Sequence, residues 1–263
     1  FRRVLFRSLS HMEDIPCCQR TLYSYVDKQY LSVINLDLPR KVRYKKRKKK
    51  QLDTPVPGYR KNRTYRDLLD FLASSHDSSI VELDVVEGAG GKSGPVLLTL
   101  FFRNCSLMLL FLLPGDRRKY VQDVFDLLLS ELGPQTYSQL FPIILTDNGS
   151  SFLDPSLFEM PHRQDVLTKV FYCDPMSSWQ KGRLEKNHEF IRYILPKGTS
   201  FDSLTEQKVN LMMNHINSTA RASLNSCTPF QLALLLLDAK LMSLMDLRSV
   251  PADQIHLKPD LIK

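Results

Sequence analysis

Apolar and polar residues alternate at 79–86, and two apolar runs follow at 95–103 and 106–113. Alternation is typical of a half-buried strand, and short apolar runs bounded by turn residues are typical of buried strands. Glycines within 88–94 supply the first turn. Because the connections are short, the pattern predicts three consecutive strands in an antiparallel meander.

Helical spacing follows the meander. Residues 117–132 place apolar side chains three and four positions apart, and Gly133 and Pro134 end the pattern. A short apolar strand at 141–145 is predicted to pair in parallel, because its connection runs through a helix. The remaining predicted elements are a strand at 169–173 and helices at 183–193, 205–219 and from 229 onward. This order predicts an α/β fold of the ribonuclease H-like class, with a mixed five-stranded sheet flanked by helices.

Composition divides the chain into segments. A short amphipathic helix at 19–26 is interpreted either as the remnant of a helix-turn-helix DNA-binding region or as a helix that packs on the main domain. Residues 1–8 read like the translation of a sequencing adapter, so we expect them to be non-native and the upstream part of the protein to be missing. The predicted segments are 1–8 non-native, 9–39 helical remnant, 40–63 basic linker, 64–245 ribonuclease H-like domain and 246–263 tail.

Positive charge is concentrated in one block of the predicted linker. The formal net charge is +8, and nine of the eleven residues at 40–50 are Lys or Arg. Such a block is a solvated linker, a phosphate-binding segment or both, because each cation that neutralises a phosphate releases counterions. The candidate phosphate contacts in this block are Arg40, Lys41, Arg43, Lys45, Lys46 and Arg47.

Cysteine usage and hydropathy exclude several classes of protein. The five cysteines are odd in number and form no CxxC pair, which disfavours a disulfide framework or a zinc site. The longest apolar run near the C-terminus, at 232–237, is far shorter than the roughly 20 residues of a membrane span. We therefore expect a protein of a reducing cytoplasm that has no membrane partner.

Three acidic residues occupy defined positions on the predicted elements. Asp84 lies in the first strand, Asp147 follows the fourth strand in an Asp-Asn-Gly turn, and Glu185 lies near the start of a helix. In the predicted sheet the first and fourth strands are neighbours, so both aspartates point into one crevice. Carboxylates repel one another, and two Mg²⁺ ions about 4 Å apart are a common reason for a DNA-cleaving site to hold three together. The pattern therefore indicates metal-dependent phosphoryl transfer.

Each acid also has a structural interpretation. The run at 147–149 is a common turn, a solvated edge strand accounts for Asp84, and a solvated helix face accounts for Glu185. Glu82 competes with Asp84 because it projects from the same strand face about 6.6 Å away. Glu189 is the reserve for the third position because it lies one helical turn after Glu185. The conjunction of three acids favours the metal site.

Short motifs surround these acids, and other motifs lie before and after them in the chain. They are TLYSYV at 21–26, ELD at 82–84, LTDNGS at 145–150, SSWQKGRLE at 177–185, IR at 191–192, LPKGT at 195–199 and NSCTP at 225–229. Their combination resembles the DDE transposases of the IS-thirty family of bacterial insertion sequences, over about residues 14–240. Two departures concern the surroundings of the acids. Ser151 stands where a glutamate is usual, and Arg183, Leu184 and Lys186 replace polar, Asn-rich residues.

The resemblance implies a site and its surroundings. Asp84, Asp147 and Glu185 would bind Mg²⁺ or Mn²⁺, as two ions. Asn148 and Trp179 would flank them, and Trp179 is read as a packing anchor or as a platform for a base. Further candidates around the site are Arg192 and Lys197 as phosphate contacts and His188 as a structural or DNA-contacting residue rather than a metal ligand.

The implied function is DNA strand cleavage and strand transfer at the ends of an insertion sequence. The partners would be the terminal inverted repeats and the target DNA, and a homo-oligomer would hold both ends in the cytoplasm, at the bacterial nucleoid. Two alternatives remain open. One is a nuclease of the same fold that hydrolyses without joining, and the other is a non-catalytic DNA-binding protein that retains the acids by descent.

Overall fold

The computed structural model describes residues 18–35, 57–75, 79–159 and 166–263. Several predictions lie outside these ranges. They concern the non-native segment at 1–8, parts of the predicted helical remnant at 9–17 and 36–39, and the whole basic block at 40–50 with its candidate phosphate contacts.

Five strands form one mixed sheet. They are β1 (Ile80–Glu87), β2 (Val96–Phe102), β3 (Met108–Leu113), β4 (Ile143–Thr146) and β5 (Lys169–Tyr172). Their order across the sheet is β3-β2-β1-β4-β5. The first three strands pair antiparallel, whereas β4 pairs in parallel with both β1 and β5. This is the arrangement of the ribonuclease H-like class, so the predicted fold class is confirmed.

Helices are present at every segment where the sequence predicted one, and further helices occur at 134–140, 156–159 and 239–244. The helices are α1 (Gln19–Asp27), α2 (Tyr65–Ser74), α3 (Arg118–Leu132), α4 (Pro134–Leu140), α5 (Ser156–Glu159), α6 (Gly182–Ile194), α7 (Glu206–Asn217), α8 (Pro229–Leu236) and α9 (Ala239–Leu244). Helix α8 is capped by Thr228, whose side chain accepts a hydrogen bond from the backbone N–H of Gln231.

One helix boundary differs from the prediction. Gly133 and Pro134 end α3 as expected, but a second helix, α4, begins at Pro134 itself. Gly133 has a φ of 81°, which turns the chain sharply. Proline lacks an N–H and has a fixed φ, so it suits the first position of the new helix. The pair therefore both ends one helix and starts another.

The two faces of the sheet enter two apolar cores. Val81 and Leu83 belong to the main core, which includes buried residues of α3, α6 and α7, whereas Ile80 belongs to a smaller core beneath α2. This confirms the predicted alternation along β1. Glu82 and Asp84 follow Ile80 at intervals of two and so share its face of the sheet. The polar site is thus placed on the face that the smaller core only partly occupies.

Residues 57–63, the part of the predicted linker that the structure describes, contact the sheet. The Tyr59 ring lies edge to face against Tyr172, with ring centroids 5.0 Å apart. The backbone N–H of Tyr172 donates to the carbonyl of Arg63, and the Arg63 guanidinium makes two hydrogen bonds of 2.9 and 2.7 Å to Glu159. Tyr59 and Arg63 therefore fix this segment against β5 and α5. In the described ranges, no helix has the length and apolar character needed to cross a membrane.

Candidate active site

Asp84 and Asp147 converge on one cation. Strands β1 and β4 pair in parallel with Glu82 opposite Leu145, so continuing both chains by two residues sets Asp84 beside Asp147. The ammonium of Lys181 lies 3.3 Å from Oδ2 of Asp84 and 3.8 Å from Oδ2 of Asp147. The expected crevice therefore exists, and it is arranged to hold positive charge.

Lys181 is a functional residue that the sequence analysis missed. Its side chain is only 5% exposed, and Nζ donates a 2.9 Å hydrogen bond to the carbonyl oxygen of Leu83. A buried ammonium is stable only with such partners, because removal of a charge from water is costly. The available signal was a lysine four residues before Glu185, which reads equally well as a solvated helix start.

The turn after β4 fixes the orientation of Asp147. Its Oδ1 accepts a 2.8 Å hydrogen bond from the backbone N–H of Gly149. A Cβ at Gly149 would lie 2.9 Å from that same oxygen, so glycine is required for the side chain to keep this position. Asn148 donates to the carbonyl of Cys173 and accepts a 3.2 Å hydrogen bond from the Tyr59 hydroxyl. The predicted flanking role of Asn148 therefore has a structural basis.

A short 3₁₀ turn, Ser178–Lys181, carries Lys181 into the site. Gln180 in this turn is buried, donates to Asp174 and accepts from the backbone N–H of Asp174. Arg60 forms a 2.9 Å ion pair with Asp174, and the guanidinium of Arg103 donates to the carbonyl of Gln180. Three separate parts of the chain therefore fix the position of the turn.

Glu82, the competitor of Asp84, is part of this support. It is fully buried, forms an ion pair with Arg103 and accepts a 3.0 Å hydrogen bond from the backbone N–H of Leu184 in the first turn of α6. Burial raises the pKa of Glu82, and the Arg103 guanidinium opposes that shift. Glu82 thus anchors the N-terminal end of α6 to β1.

Glu185 lies on the exposed side of the first turn of α6, and Glu189 one turn later is half-buried. Over the described ranges, no three His, Cys, Asp or Glu side chains stand together in a metal-binding group. The structure thus unites Asp84 and Asp147 around Lys181 without assembling a third carboxylate there. The role of Glu185 stays a prediction.

His188 contacts the site from the helix. Its Nε2 lies 2.9 Å from Oγ1 of Thr99, whose hydroxyl donates to the carbonyl of Asp84. Since that hydroxyl has one proton, Nε2 must carry its own proton and donate to Oγ1. Burial, with lesser effects of Lys181 and Arg192, lowers the pKa of His188 to about 3. The imidazole is therefore neutral at physiological pH, with a structural contact of the kind expected.

Other predicted site residues surround this centre. Arg192 donates from Nη2 to the carbonyl of Glu87, while its buried Nη1 has no hydrogen-bond partner in the described part of the chain. Lys197 is exposed. Ser151 is buried and donates to Asp116, so the departure from the usual glutamate is accommodated by a hydrogen bond.

No protein-family model matches the chain. A probable transposase for the insertion-like element IS1161 of Streptococcus salivarius is 25% identical over 216 residues, which are 81% of this chain and 57% of the relative. The transposase for element IS4351 of Bacteroides fragilis is 26% identical over 57% of this chain and 42% of its own length. Transposase InsI for element IS30A of Escherichia coli is 36% identical over 61 residues, 23% of this chain and 16% of its own.

Two solved structures are similar at a lower level. The catalytic core domain of BIV integrase has a TM-score of 0.41 and 16% identity, over 60% of this chain and 95% of its own. The simian T-cell lymphotropic virus intasome has a TM-score of 0.46 and 14% identity, over 58% of this chain and 53% of its own. The fold class rests on the strand order of the sheet.

The chain is thus similar to one class of protein, the transposases of insertion sequences. Within that class it is similar to the transposase of the IS30 element, so the resemblance to the IS-thirty family is confirmed. The chain spans 57% of the length of the IS1161 relative and 42% of the IS4351 relative.

Proposed function

We propose that the protein is a DDE transposase that cleaves DNA at the ends of an insertion sequence and joins the freed 3′ end to target DNA. The observation that carries the proposal is the convergence of Asp84 and Asp147 on a single cation position at the ends of two parallel strands. The similarity to insertion-sequence transposases supports the same chemistry.

The residues at this position suit a hard divalent cation. The Lys181 ammonium stands in for such an ion, because the groups around it are the carboxylates of Asp84 and Asp147 and the carbonyl oxygen of Leu83. Oxygen ligands of this kind are those that Mg²⁺ and Mn²⁺ prefer. Asp84 and Asp147 would hold the metal, with Glu185 as the third ligand in the proposed triad.

When bound, two such ions would supply electrostatic stabilisation of the charge that develops on the transferred phosphoryl group. An ion bound between the two aspartates would take the position of the Lys181 ammonium, and Lys181 neutralises both aspartates in its place. The Gly149 N–H and the Asn148 side chain hold Asp147 in place throughout.

Phosphate contacts are assigned to two parts of the chain. Arg192, whose side chain is partly exposed, and Lys197, whose side chain is exposed, would contact phosphates of the DNA backbone. The basic block at 40–50 would add affinity that does not depend on sequence. The partners in this proposal are terminal inverted repeats and target DNA, bound by a homo-oligomer in the bacterial cytoplasm at the nucleoid.

The test is strand cleavage and strand transfer on DNA that carries the ends flanking the gene, in Mg²⁺, with wild type and Asp147→Asn. The substitution keeps the size of the side chain and removes one charge, so both reactions should fall by orders of magnitude while DNA affinity is retained. Asp123→Asn, an exposed position on α3, is the matched control and should keep full activity.

Equal activity of wild type and Asp147→Asn would refute the site. Cleavage without joining by the wild type would identify a nuclease instead. Metal-independent DNA binding by both proteins, with no reaction in either, would identify a non-catalytic DNA-binding protein.

A further inference from the structure

Trp179 is a large aromatic side chain left in water beside the candidate site. It is the only tryptophan of the chain and is 70% exposed. Its ring lies against that of Tyr65, with centroids 5.8 Å apart and ring planes at 74°. Tyr65 is the one ring in contact with Trp179 among the residues that the structure describes, and most of the Trp179 surface is exposed there.

The backbone beneath Trp179 is fixed from both sides. It belongs to the turn Ser178–Lys181, and the two residues that follow it are buried. Gln180 is hydrogen-bonded to Asp174, and the Arg103 guanidinium donates to the Gln180 carbonyl. The turn therefore presents Trp179 outward at a set place, two residues from the cation that the aspartates hold. A ligand that stacks on it does not have to order a mobile loop.

Basic residues lie close to the two rings along the chain. Arg183 and Lys186 are exposed on the first turns of α6, and Arg66 is exposed next to Tyr65. An exposed aromatic ring combined with nearby cations fits a nucleotide, because the base can stack while the phosphates pair with Lys and Arg. A purely apolar partner would gain nothing from these cations.

We propose that the exposed ring of Trp179, supported by Tyr65 in an edge-to-face contact, forms a shelf on which an unpaired base of the DNA stacks, beside the phosphate that is cleaved. This inference rests on the proposed function, since it takes the aspartate site as the place of reaction. The base must be unpaired, because a base inside a duplex has both of its faces covered by neighbouring bases. The shelf thus selects a frayed or single-stranded end over an intact duplex.

The first test uses the single tryptophan as its own probe. The fluorescence of the 263-residue chain is measured in EDTA while a twelve-nucleotide oligo(dT) or a blunt duplex of equal phosphate number is added. Stacking of a base on the ring should quench the emission, so the single strand should quench it strongly and the duplex weakly. Absence of metal prevents cleavage and separates binding from reaction.

Variants test whether the ring contributes affinity. Trp179→Ala should bind labelled oligo(dT) about tenfold more weakly, or weaker still, while its affinity for the duplex is unchanged. Trp179→Phe keeps an aromatic face and should retain most of the affinity. Leu235→Ala removes another apolar side chain, which is 80% exposed, and should bind like the wild type.

The inference is overturned if oligo(dT) leaves the fluorescence unchanged and Trp179→Ala binds it as tightly as wild type. It is also overturned if poly-glutamate of equal charge quenches as strongly, because the surface would then fit an acidic peptide. Quenching by oligo(dT) in a wild type that fails to cleave DNA would sustain the shelf and refute the proposed function. Cleavage by a wild type whose fluorescence is not quenched by oligo(dT) would sustain the proposed function and refute the shelf.

Discussion

The carboxylates of the candidate site are held by two different kinds of structure. Asp84 and Asp147 extend from adjacent parallel strands, so the register of β1 and β4 sets their separation. Glu185 lies on the exposed first turn of α6. The place of that turn depends on a hydrogen bond from Leu184 to Glu82 and on the pinned segment Ser178–Lys181.

This difference shows which part of the site is preformed. Two strands within a five-stranded sheet cannot shift register without moving every side chain to the other face, so the aspartates are fixed by the fold. The exposed face of the first turn of α6 is set by a few side-chain contacts and can adjust more readily. We therefore expect Asp84 and Asp147 to form the stable half of the metal site and α6 to complete it.

The largest expected effect concerns which helical carboxylate completes the site. Glu185→Gln should reduce strand cleavage by orders of magnitude, because it removes a charge that neutralises the metal ions. Glu189→Gln, one turn later on the same helix, is the matched control and should retain cleavage. The measurement is the rate of cleavage in Mg²⁺ for the two variants. Loss of cleavage in Glu189→Gln but not in Glu185→Gln would assign the third metal-ligand position to Glu189.

The next prediction concerns the ion pair of Glu82 and Arg103, which anchors the N-terminal end of α6 to β1. Arg103→Met leaves the fully buried Glu82 without its cationic partner, and loss of one member of a buried pair costs about 3–5 kcal/mol. Urea unfolding measures the change in the free energy of unfolding. Arg183→Met, at an exposed side chain, should change it by less than about 0.5 kcal/mol. Equal losses in the two variants would mean that the buried pair is not the anchor.

The deficit of Arg103→Met should depend on pH. Burial already raises the pKa of Glu82, and removal of Arg103 removes the main opposing effect. A raised pKa favours the protonated carboxyl in the folded state, so this contribution is present at low pH and is lost as pH rises through the folded pKa. The deficit should therefore be largest at neutral pH and shrink on acidification. A deficit that is constant over this range would rule out the carboxylate as its source.

A prediction of smaller effect concerns the turn after β4, which positions Asp147. Gly149→Ala would bring a Cβ within 2.9 Å of Oδ1 of Asp147 and displace the carboxylate. Because the displaced atom is the end of a half-exposed side chain, we expect weaker Mn²⁺ binding with little change in the free energy of unfolding. Gly58→Ala is the control, because a Cβ there meets nothing within 4 Å. Unchanged Mn²⁺ binding by Gly149→Ala would show that the turn does not position Asp147.

Local sequence patterns predicted the sheet and the positions of Asp84 and Asp147. Alternation along β1 separated Val81 and Leu83 from Glu82 and Asp84, and the turn at 147–149 marked a strand end. These signals are local because side-chain direction in a strand follows from sequence spacing alone. The strand order then brought the two aspartates together.

The remainder of the site depends on contacts between distant segments. A lysine in a polar motif is normally solvated, and the burial of Lys181 follows from the bonds among Gln180, Asp174 and Arg60, which no local pattern encodes. Tyr59 lies in a stretch that reads as linker, yet its hydroxyl contacts Asn148. Sequence spacing likewise placed Glu82 and Asp84 as equals, and only the contact with Leu184 assigned Glu82 to the helix.

The most direct test of the central claim is Mn²⁺ binding by the metal-free protein, followed by the electron paramagnetic resonance signal of the free ion. Wild type should bind Mn²⁺, and Asp84→Asn and Asp147→Asn should each bind it at least about tenfold more weakly, because each loses one charge beside the ion. Lys181→Met should bind Mn²⁺ more tightly than wild type, since no ammonium competes for the position between the aspartates. Equal Mn²⁺ affinity in wild type and both aspartate variants would contradict the claim, as would a Lys181→Met protein that binds no Mn²⁺.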